Sequence, residues 1–177
     1  MDEFRLDANR VVGRLLMGSF PPAGPFVQRY ANVLVLCAKE LQPPPEAFRG
    51  IRVINAPLND DGTPMTDREV RTAQRAARAV RTSLDAGLVC LVTCHMGLNR
   101  SGLVAALALM LPQAAGGPRW SHNDTPCCLT SDQATSLVRR ARGPSALGNP
   151  FFERMLILTD GICGTRPNAF RMGAFLP

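Results

Sequence analysis

Nothing in this sequence is long and apolar enough to cross a bilayer. The longest apolar run, Leu103 to Pro112, falls well short of the roughly 20 residues a membrane helix needs. The opening residues, MDEFRLDANR, are charged and have no apolar centre of the kind a secretory signal carries. There are six cysteines, at 37, 90, 94, 127, 128 and 163, but no Cys-x-x-Cys pair and no Cys/His zinc spacing. Cys127 and Cys128 are adjacent, which disfavours a disulfide between them. Internal repeats and low-complexity linkers are also missing. These absences argue against a membrane protein, a disulfide scaffold and a zinc module. They give the expectation of a reduced, cytoplasmic protein with no metal, no cofactor and no membrane partner. A chain of 177 residues that is 46% hydrophobic has enough material for one core, so a single domain over 1–177 is expected.

Charge is present in excess of one sign. Twenty basic side chains against fourteen acidic give a formal charge of +6. That favours anionic partners such as phosphorylated substrates or nucleic acid, and a solvated arginine-rich surface accounts for it equally well.

The apolar pattern alternates between two periods. Val11 to Phe20, broken by Gly13 and Gly18, reads as a hairpin or short strand pair. A turn and a short helix are expected over Pro21 to Tyr30. Asn32 to Cys37 (NVLVLC) is a continuous apolar run, as in strands buried on both faces of a parallel sheet. Lys39 to Arg49 is proline-rich and loop-like, and Ile51 to Ala56 is another strand candidate.

Thr66 and Glu69 then form a capping box. After them Val70, Ala73, Ala77, Val80 and Leu84 recur at helical spacing, with Arg68, Arg71, Arg75 and Arg78 largely on the other face and Gly87 as the stop. Leu88 to Thr93 (LVCLVT) is of strand length. Gly102 to Leu111 reads as a helix apolar on nearly all sides and therefore buried. Gln113 to Thr130 is a Gly/Pro-rich connection. Ser131 to Arg142 is an amphipathic helix with Ala134, Leu137, Val138 and Ala141 inward, and a last helix starts at Asn149 or Pro150 and runs through Leu158. Alternating strands and helices predict an α/β domain: a central, mostly parallel sheet with helices on both faces.

The stretch TCHMGLNRSG, residues 93 to 102, sits between a buried strand and a buried helix. In α/β sheets, ligands bind at the carboxyl ends of strands, beside helix N-termini. A helix starting near Arg100 aims its free N–H groups back at the loop, and these stabilise an anion. Gly97 allows the amides to turn inward as a cradle. Arg100 offers a planar fork that matches two phosphate oxygens. A thiol at Cys94 in such a field ionises more readily and becomes a better nucleophile. Nucleophile, cradle and clamp then form one site for in-line attack on phosphorus, through a thiophosphate intermediate. The competing reading is a small core cysteine and a chance spacing. The strand before, the helix after, the internal glycine and the serine after the arginine favour the functional one.

VTCHMGLNRSG resembles the signature of the cysteine-dependent protein tyrosine phosphatases, in particular their compact dual-specificity branch: His-Cys, five residues, Arg, then Ser or Thr. RLLMGSF resembles that family's opening strand, ANVLVLCA its early core strand, INAPLNDDG the segment with its acid, and ATSLVRRARGPSALGNPFFERML the helix pair after the catalytic helix. The GLNRSG variant is also similar to small bacterial and phage phosphatase-like proteins and to capping-enzyme RNA triphosphatases. The resemblance implies that Cys94 is the nucleophile and Arg100 the clamp. It implies a cradle made by the amides of His95, Met96, Gly97, Leu98, Asn99 and Arg100, and a leaving-thiolate helper in Ser101.

Thr93 stands where the family has His, which implies less complete thiolate formation and a lower rate. The family's general acid is an Asp upstream of the cysteine, so Asp60 or Asp61 is expected to fill that role. Aligning Pro57-Leu58-Asn59-Asp60 with the family's Pro-x-x-Asp favours Asp60, and a plain Asn-Asp-Asp-Gly turn is the alternative.

Other candidates carry less. His95 is expected at the rim, Trp120 and His122 on the surface, and Arg139, Arg140 and Arg142 on a solvated helix face or a basic rim. Cys37 and Cys90 are expected as buried inert thiols, with an oxidative pairing to Cys94 as the alternative. The expected activity is hydrolysis of phosphotyrosine in proteins, with phosphoserine and phosphothreonine open. The alternatives are an RNA 5′-triphosphatase or polyphosphate phosphatase, a non-catalytic phosphate-binding module, and a rhodanese-like sulfurtransferase. Nucleic acid is a partner only under the first of these. The sequence does not indicate an oligomeric state.

Overall fold

Among the described residues, five strands form one sheet in the order β1-β2-β5-β3-β4, with β1 at Ala8–Val12, β2 at Leu15–Ser19, β3 at Val33–Ala38, β4 at Arg52–Leu58 and β5 at Cys90–Cys94. This is a computed structural model, and it describes residues 6–113 and 126–163. Only β1 and β2 pair antiparallel; every other neighbouring pair is parallel. The central strands β3 and β5 are buried at every residue, which explains why they read as unbroken apolar runs.

Alternation along those strands sorts the core into two halves. Val33, Val35, Cys37, Cys90, Val92 and Cys94 join the larger cluster. Leu34, Leu36 and Leu91 join the smaller one. The larger cluster carries four α-helices: α1 at Asp67–Asp85, α2 at Arg100–Met110, α3 at Ser131–Arg142 and α4 at Pro150–Cys163. α2 is buried along its whole length, and α1, α3 and α4 pack around it. The smaller cluster is covered by two short 3-10 helices, Val27–Arg29 and Pro45–Phe48. There Phe48 packs edge-on to Phe20, with centroids 6.1 Å apart. Helices thus cover both faces of the sheet, but those on the second face are single turns of 3-10 helix. One of them lies inside the proline-rich segment expected as loop.

The boundaries follow local chemistry. The capping box at α1 is formed as expected: Thr66 accepts from Glu69 N and the Glu69 carboxylate accepts from Thr66 N. Glu69 reaches further and accepts from Asn59 N at 3.0 Å, which fixes the loop after β4 to the start of α1. Gly87, with φ of 78°, ends the helix in a conformation that other residues rarely adopt. A second capping box, Thr130 with Gln133, opens α3. α2 begins at Arg100, where the loop reading puts the helix start and two residues before the apolar run from Gly102, so the arginine lies in the helix's first turn.

Two charged residues of α1, Arg81 and Asp85, are buried as an ion pair, and Arg81 Nη1 also donates to Pro126 O at 3.1 Å. The amphipathic pattern does not reveal them. Most of the Gly/Pro-rich connection, with Trp120 and His122, lies outside the described residues. Among the described residues no helix is long and apolar enough to cross a membrane, and no cluster of His, Cys, Asp and Glu has the makings of a metal site.

Candidate active site

Strand β5 ends at Cys94, and the chain turns through His95 to Asn99 before α2 begins. The turn lies at the carboxyl edge of the sheet, between the neighbouring strands β2 and β3. Gly97 is indispensable to it on two counts. Its φ is 68°, and a Cβ there would lie 2.3 Å from the carbonyl carbon of Gly18 and 2.6 Å from Ser19 N. The loop therefore rests directly on the backbone of β2.

The carbonyls of this loop all point away from its hollow, and each is bonded. His95 O accepts from Phe20 N at 3.4 Å, and Met96 O from Arg142 Nη2 at 3.1 Å. Gly97 O accepts from Arg142 Nε at 3.0 Å, Leu98 O from Leu147 N at 3.4 Å, and Asn99 O from Leu103 N at 2.8 Å. In a trans peptide the N–H points opposite to the C=O. Five outward carbonyls thus turn the amides of Met96, Gly97, Leu98, Asn99 and Arg100 toward the other side, as a nest of donors at a helix N-terminus.

Cys94, His95, Met96, Leu98, Asn99 and Arg100 line a cleft of about 440 Å³ together with Glu40, Asn59, Asp60 and Asp61. The fold therefore brings Cys94, Arg100 and Asp60 into one hollow. Ser101, in the first turn of α2, places Oγ 3.3 Å from Cys94 Sγ. His95 and Met96 are exposed, as a rim position requires. Thr93 donates Oγ1 to Val35 O at 3.0 Å, so its hydroxyl braces the sheet and does not hold the loop.

Arg100 is buried yet fully charged. Its Nη1 and Nη2 donate to the two Glu40 carboxylate oxygens at 2.6 and 2.8 Å, and Nη1 also donates to Leu58 O at 3.3 Å. Burial pulls the guanidinium down, but the Glu40 hydrogen bonds, with the charges of Glu40, Cys94 and Asp60, outweigh it and hold it above its ordinary value. The same hydrogen bond lowers Glu40. The third donor, Nε, is buried and has no partner among the described residues.

The two adjacent aspartates differ. Asp60 receives Asn99 Nδ2 on one oxygen at 3.0 Å and Asn149 Nδ2 on the other at 2.9 Å. Asp61 accepts from Thr63 N and Thr63 Oγ1 at 3.1 and 2.6 Å, and these bonds lower its pKa. That is the local turn expected as the alternative for this segment, made by one aspartate only.

Four contributors escaped sequence reasoning: Glu40, the Asn99 side chain, Asn149 and Arg142. Glu40 follows β3 at the ligand-binding edge of the sheet, and Asn149 precedes a proline that opens a helix. Both were findable signals. Arg142 was expected on a solvated face or a basic rim. Instead its guanidinium lies beneath the loop, bonded to two loop carbonyls and to Asp7 at 2.8 and 3.1 Å. Arg139 is likewise tied inward, through Nε to Ala146 O at 3.1 Å. Cys37 is fully buried; burial first, and the charge of Cys94 second, raise its thiol well above the ordinary range. Cys90 is pushed up to about 12 by burial, and its Sγ faces Val80 O on α1.

No family model matches the sequence, and no curated protein matches it. Solved structures do. A mouse putative dual specificity phosphatase, in complex with zinc tungstate, is 23% identical; the match covers 91% of each chain with a TM-score of 0.68. Human DUSP28 is 25% identical over 91% of this chain and 97% of its own, with a TM-score of 0.66. Tk-PTP in its active form is 23% identical over 88% of this chain and 97% of its own, also with a TM-score of 0.66. The chain therefore has the fold of the compact dual-specificity phosphatases, and its loop at Cys94–Arg100 stands where that fold places the end of its central strand.

Proposed function

We propose that the protein hydrolyses phosphate monoesters, foremost phosphotyrosine in proteins, through a cysteinyl-phosphate intermediate on Cys94. The supporting observation is the loop itself: five outward-bonded carbonyls and one buried, unpartnered guanidinium N–H describe a receptor for a tetrahedral oxyanion. Tungstate, held by the mouse relative, is such an oxyanion.

The ester's phosphoryl group sits in the amide nest, and Arg100 Nε–H donates to one of its oxygens. Cys94 Sγ attacks phosphorus as the thiolate while the P–O bond to the leaving group breaks. Asp60 gives its proton to the departing oxygen. Water, deprotonated by Asp60, then attacks phosphorus and breaks the S–P bond. Ser101 Oγ–H stabilises the returning thiolate across the 3.3 Å contact. Inorganic phosphate leaves and Asp60 is again protonated for the next cycle. Holding developing negative charge on preorganised donors is worth the most in such a scheme, and protonation of the leaving group contributes about 10²–10⁴-fold.

The lining favours a single phosphate over a chain of them. Arg100 is the one lysine or arginine among the lining residues, against three carboxylates, Glu40, Asp60 and Asp61. A triphosphate brings charge beyond the cradle and meets those carboxylates. Turnover of a phosphotyrosine peptide, a phosphoserine peptide, a phosphoinositide and a 5′-triphosphate RNA by the wild type tests the reading. The phosphotyrosine peptide is expected to be fastest; a preference for the triphosphate RNA overturns it.

A further inference from the structure

We infer that Asn149 is a positioning residue for the proton transfer: it aims the Asp60 carboxyl at the leaving oxygen, with Asn99 as the second grip. The inference rests on Asp60 being the general acid. Asp60 itself lies on an exposed loop, where nothing in its own sequence would hold one orientation. The structure supplies the hold from two distant elements. Asn99 Nδ2, from the phosphate loop, donates to Asp60 Oδ2 at 3.0 Å, and Asn149 Nδ2 donates to Asp60 Oδ1 at 2.9 Å. Both amides are themselves fixed by backbone donors. Asn99 Oδ1 accepts from Gly148 N at 2.9 Å, and Asn149 Oδ1 accepts from Phe151 N at 3.0 Å. Gly148 and Asn149 are neighbours, so one turn before α4 serves both amides. That turn thereby ties the acid loop to the phosphate loop, and Glu69, accepting from Asn59 N, pins the acid loop from its other side.

Asn149 has two separable jobs. Its side-chain oxygen caps the first turn of α4, a role shared by Ser and Asp in other helices. Its amide N–H₂ alone reaches Asp60, and Asn149 is only 6% exposed, so water is a poor replacement for that donor. A substitution that keeps the cap and removes the donor therefore isolates positioning from stability. An acid out of place by about 1 Å can lose up to ~10²-fold of its effect, and only on leaving groups that need a proton.

The test measures kcat on phenyl phosphate and on 2,4-dinitrophenyl phosphate for the wild type, Asn149→Ser, Asn149→Asp and Asp60→Asn. Asn149→Ser is expected to lose about tenfold or more on phenyl phosphate and less than about twofold on the dinitrophenyl ester, whose leaving group needs no proton. Asn149→Asp keeps the cap but sets a carboxyl against Asp60. Two carboxyls sharing a site hold a proton to higher pH, so the alkaline limb of its phenyl phosphate profile is expected to move up. Equal losses on both esters, or none on either, with Asp60→Asn still selective for phenyl phosphate, overturn the role of Asn149 alone. Absence of a leaving-group-dependent loss in Asp60→Asn overturns the acid assignment, and the inference with it.

Discussion

Replacing Arg100 by Lys keeps the charge and removes the fork. In the structure both Nη atoms serve Glu40, at 2.6 and 2.8 Å, and the remaining Nε–H is buried without a partner. Arginine can therefore hold Glu40 and an oxyanion at once, at separate donors of one rigid plane. A lysine ammonium is a single point: placed on Glu40 it leaves the anion, and placed on the anion it leaves Glu40. A hydrogen bond to a charged group is worth about 1.5–3 kcal/mol, so losing one bond to the transition state costs about 10- to 150-fold. With the Glu40 grip that holds the guanidinium plane also lost, the fall reaches roughly 10²–10³-fold, the range measured for single oxyanion donors elsewhere. Steady-state kcat/KM on p-nitrophenyl phosphate reads the loss directly, and vanadate inhibition reads the same loss in the ground state. A fall of less than tenfold in kcat/KM would refute the reasoning and take the clamp away from Arg100.

Three further predictions follow from the same geometry. Asp60→Asn slows phosphotyrosine turnover by about 10²-fold or more, whereas Asp61→Asn, whose carboxylate is spent on Thr63, changes it little; a large loss only at Asp61 reverses the assignment. Gly97→Ala folds but loses at least about tenfold in vanadate affinity, because a left-handed φ and a contact with the Gly18 backbone both oppose the added methyl; unchanged affinity contradicts the account of the loop. Asp7 and Glu40 are held low by hydrogen bonds from Arg142 and Arg100, so their contribution to stability is complete above the ordinary carboxylate range, about pH 4, and is lost as pH falls through the depressed values. The urea midpoint of Asp7→Asn should accordingly fall less between pH 5 and pH 3 than that of the wild type, and identical slopes contradict the pairing.

Strands and helices were legible where a single local physical rule sets them. β3 and β5 read correctly since burial on both faces leaves an unbroken apolar run. The start of α1 read correctly since Thr66 and Glu69 are neighbours along the chain. The cysteine loop was legible because its groups lie within ten residues and the local turn builds most of the cradle. Contributions arriving from afar were not legible. Glu40, Asn149 and Arg142 reach the site from three distant parts of the chain, and only the folded domain brings them together. Arg142 looked like one more solvated charge because nothing in α3 records that two loop carbonyls lie beside its last turn. The second face of the sheet was legible only as covered; single 3-10 turns leave too short a period to read. The choice between Asp60 and Asp61 rested on resemblance alone; in the structure Asp60 is bonded to Asn99 and Asn149, and Asp61 to Thr63.

The central claim is that phosphate passes through sulfur at Cys94, and trapping that intermediate tests it most directly. Acid quenching of Ser101→Ala during turnover of a phosphotyrosine peptide, followed by peptide mass spectrometry, reads where the phosphoryl group sits. Ser101→Ala is the variant to use because, without the hydroxyl 3.3 Å from Sγ, the second step slows and the intermediate accumulates. The account predicts one added phosphoryl group on the peptide containing Cys94, absent from the same variant carrying Cys94→Ser. Phosphorylation at another residue, or undiminished hydrolysis by Cys94→Ser, would contradict it.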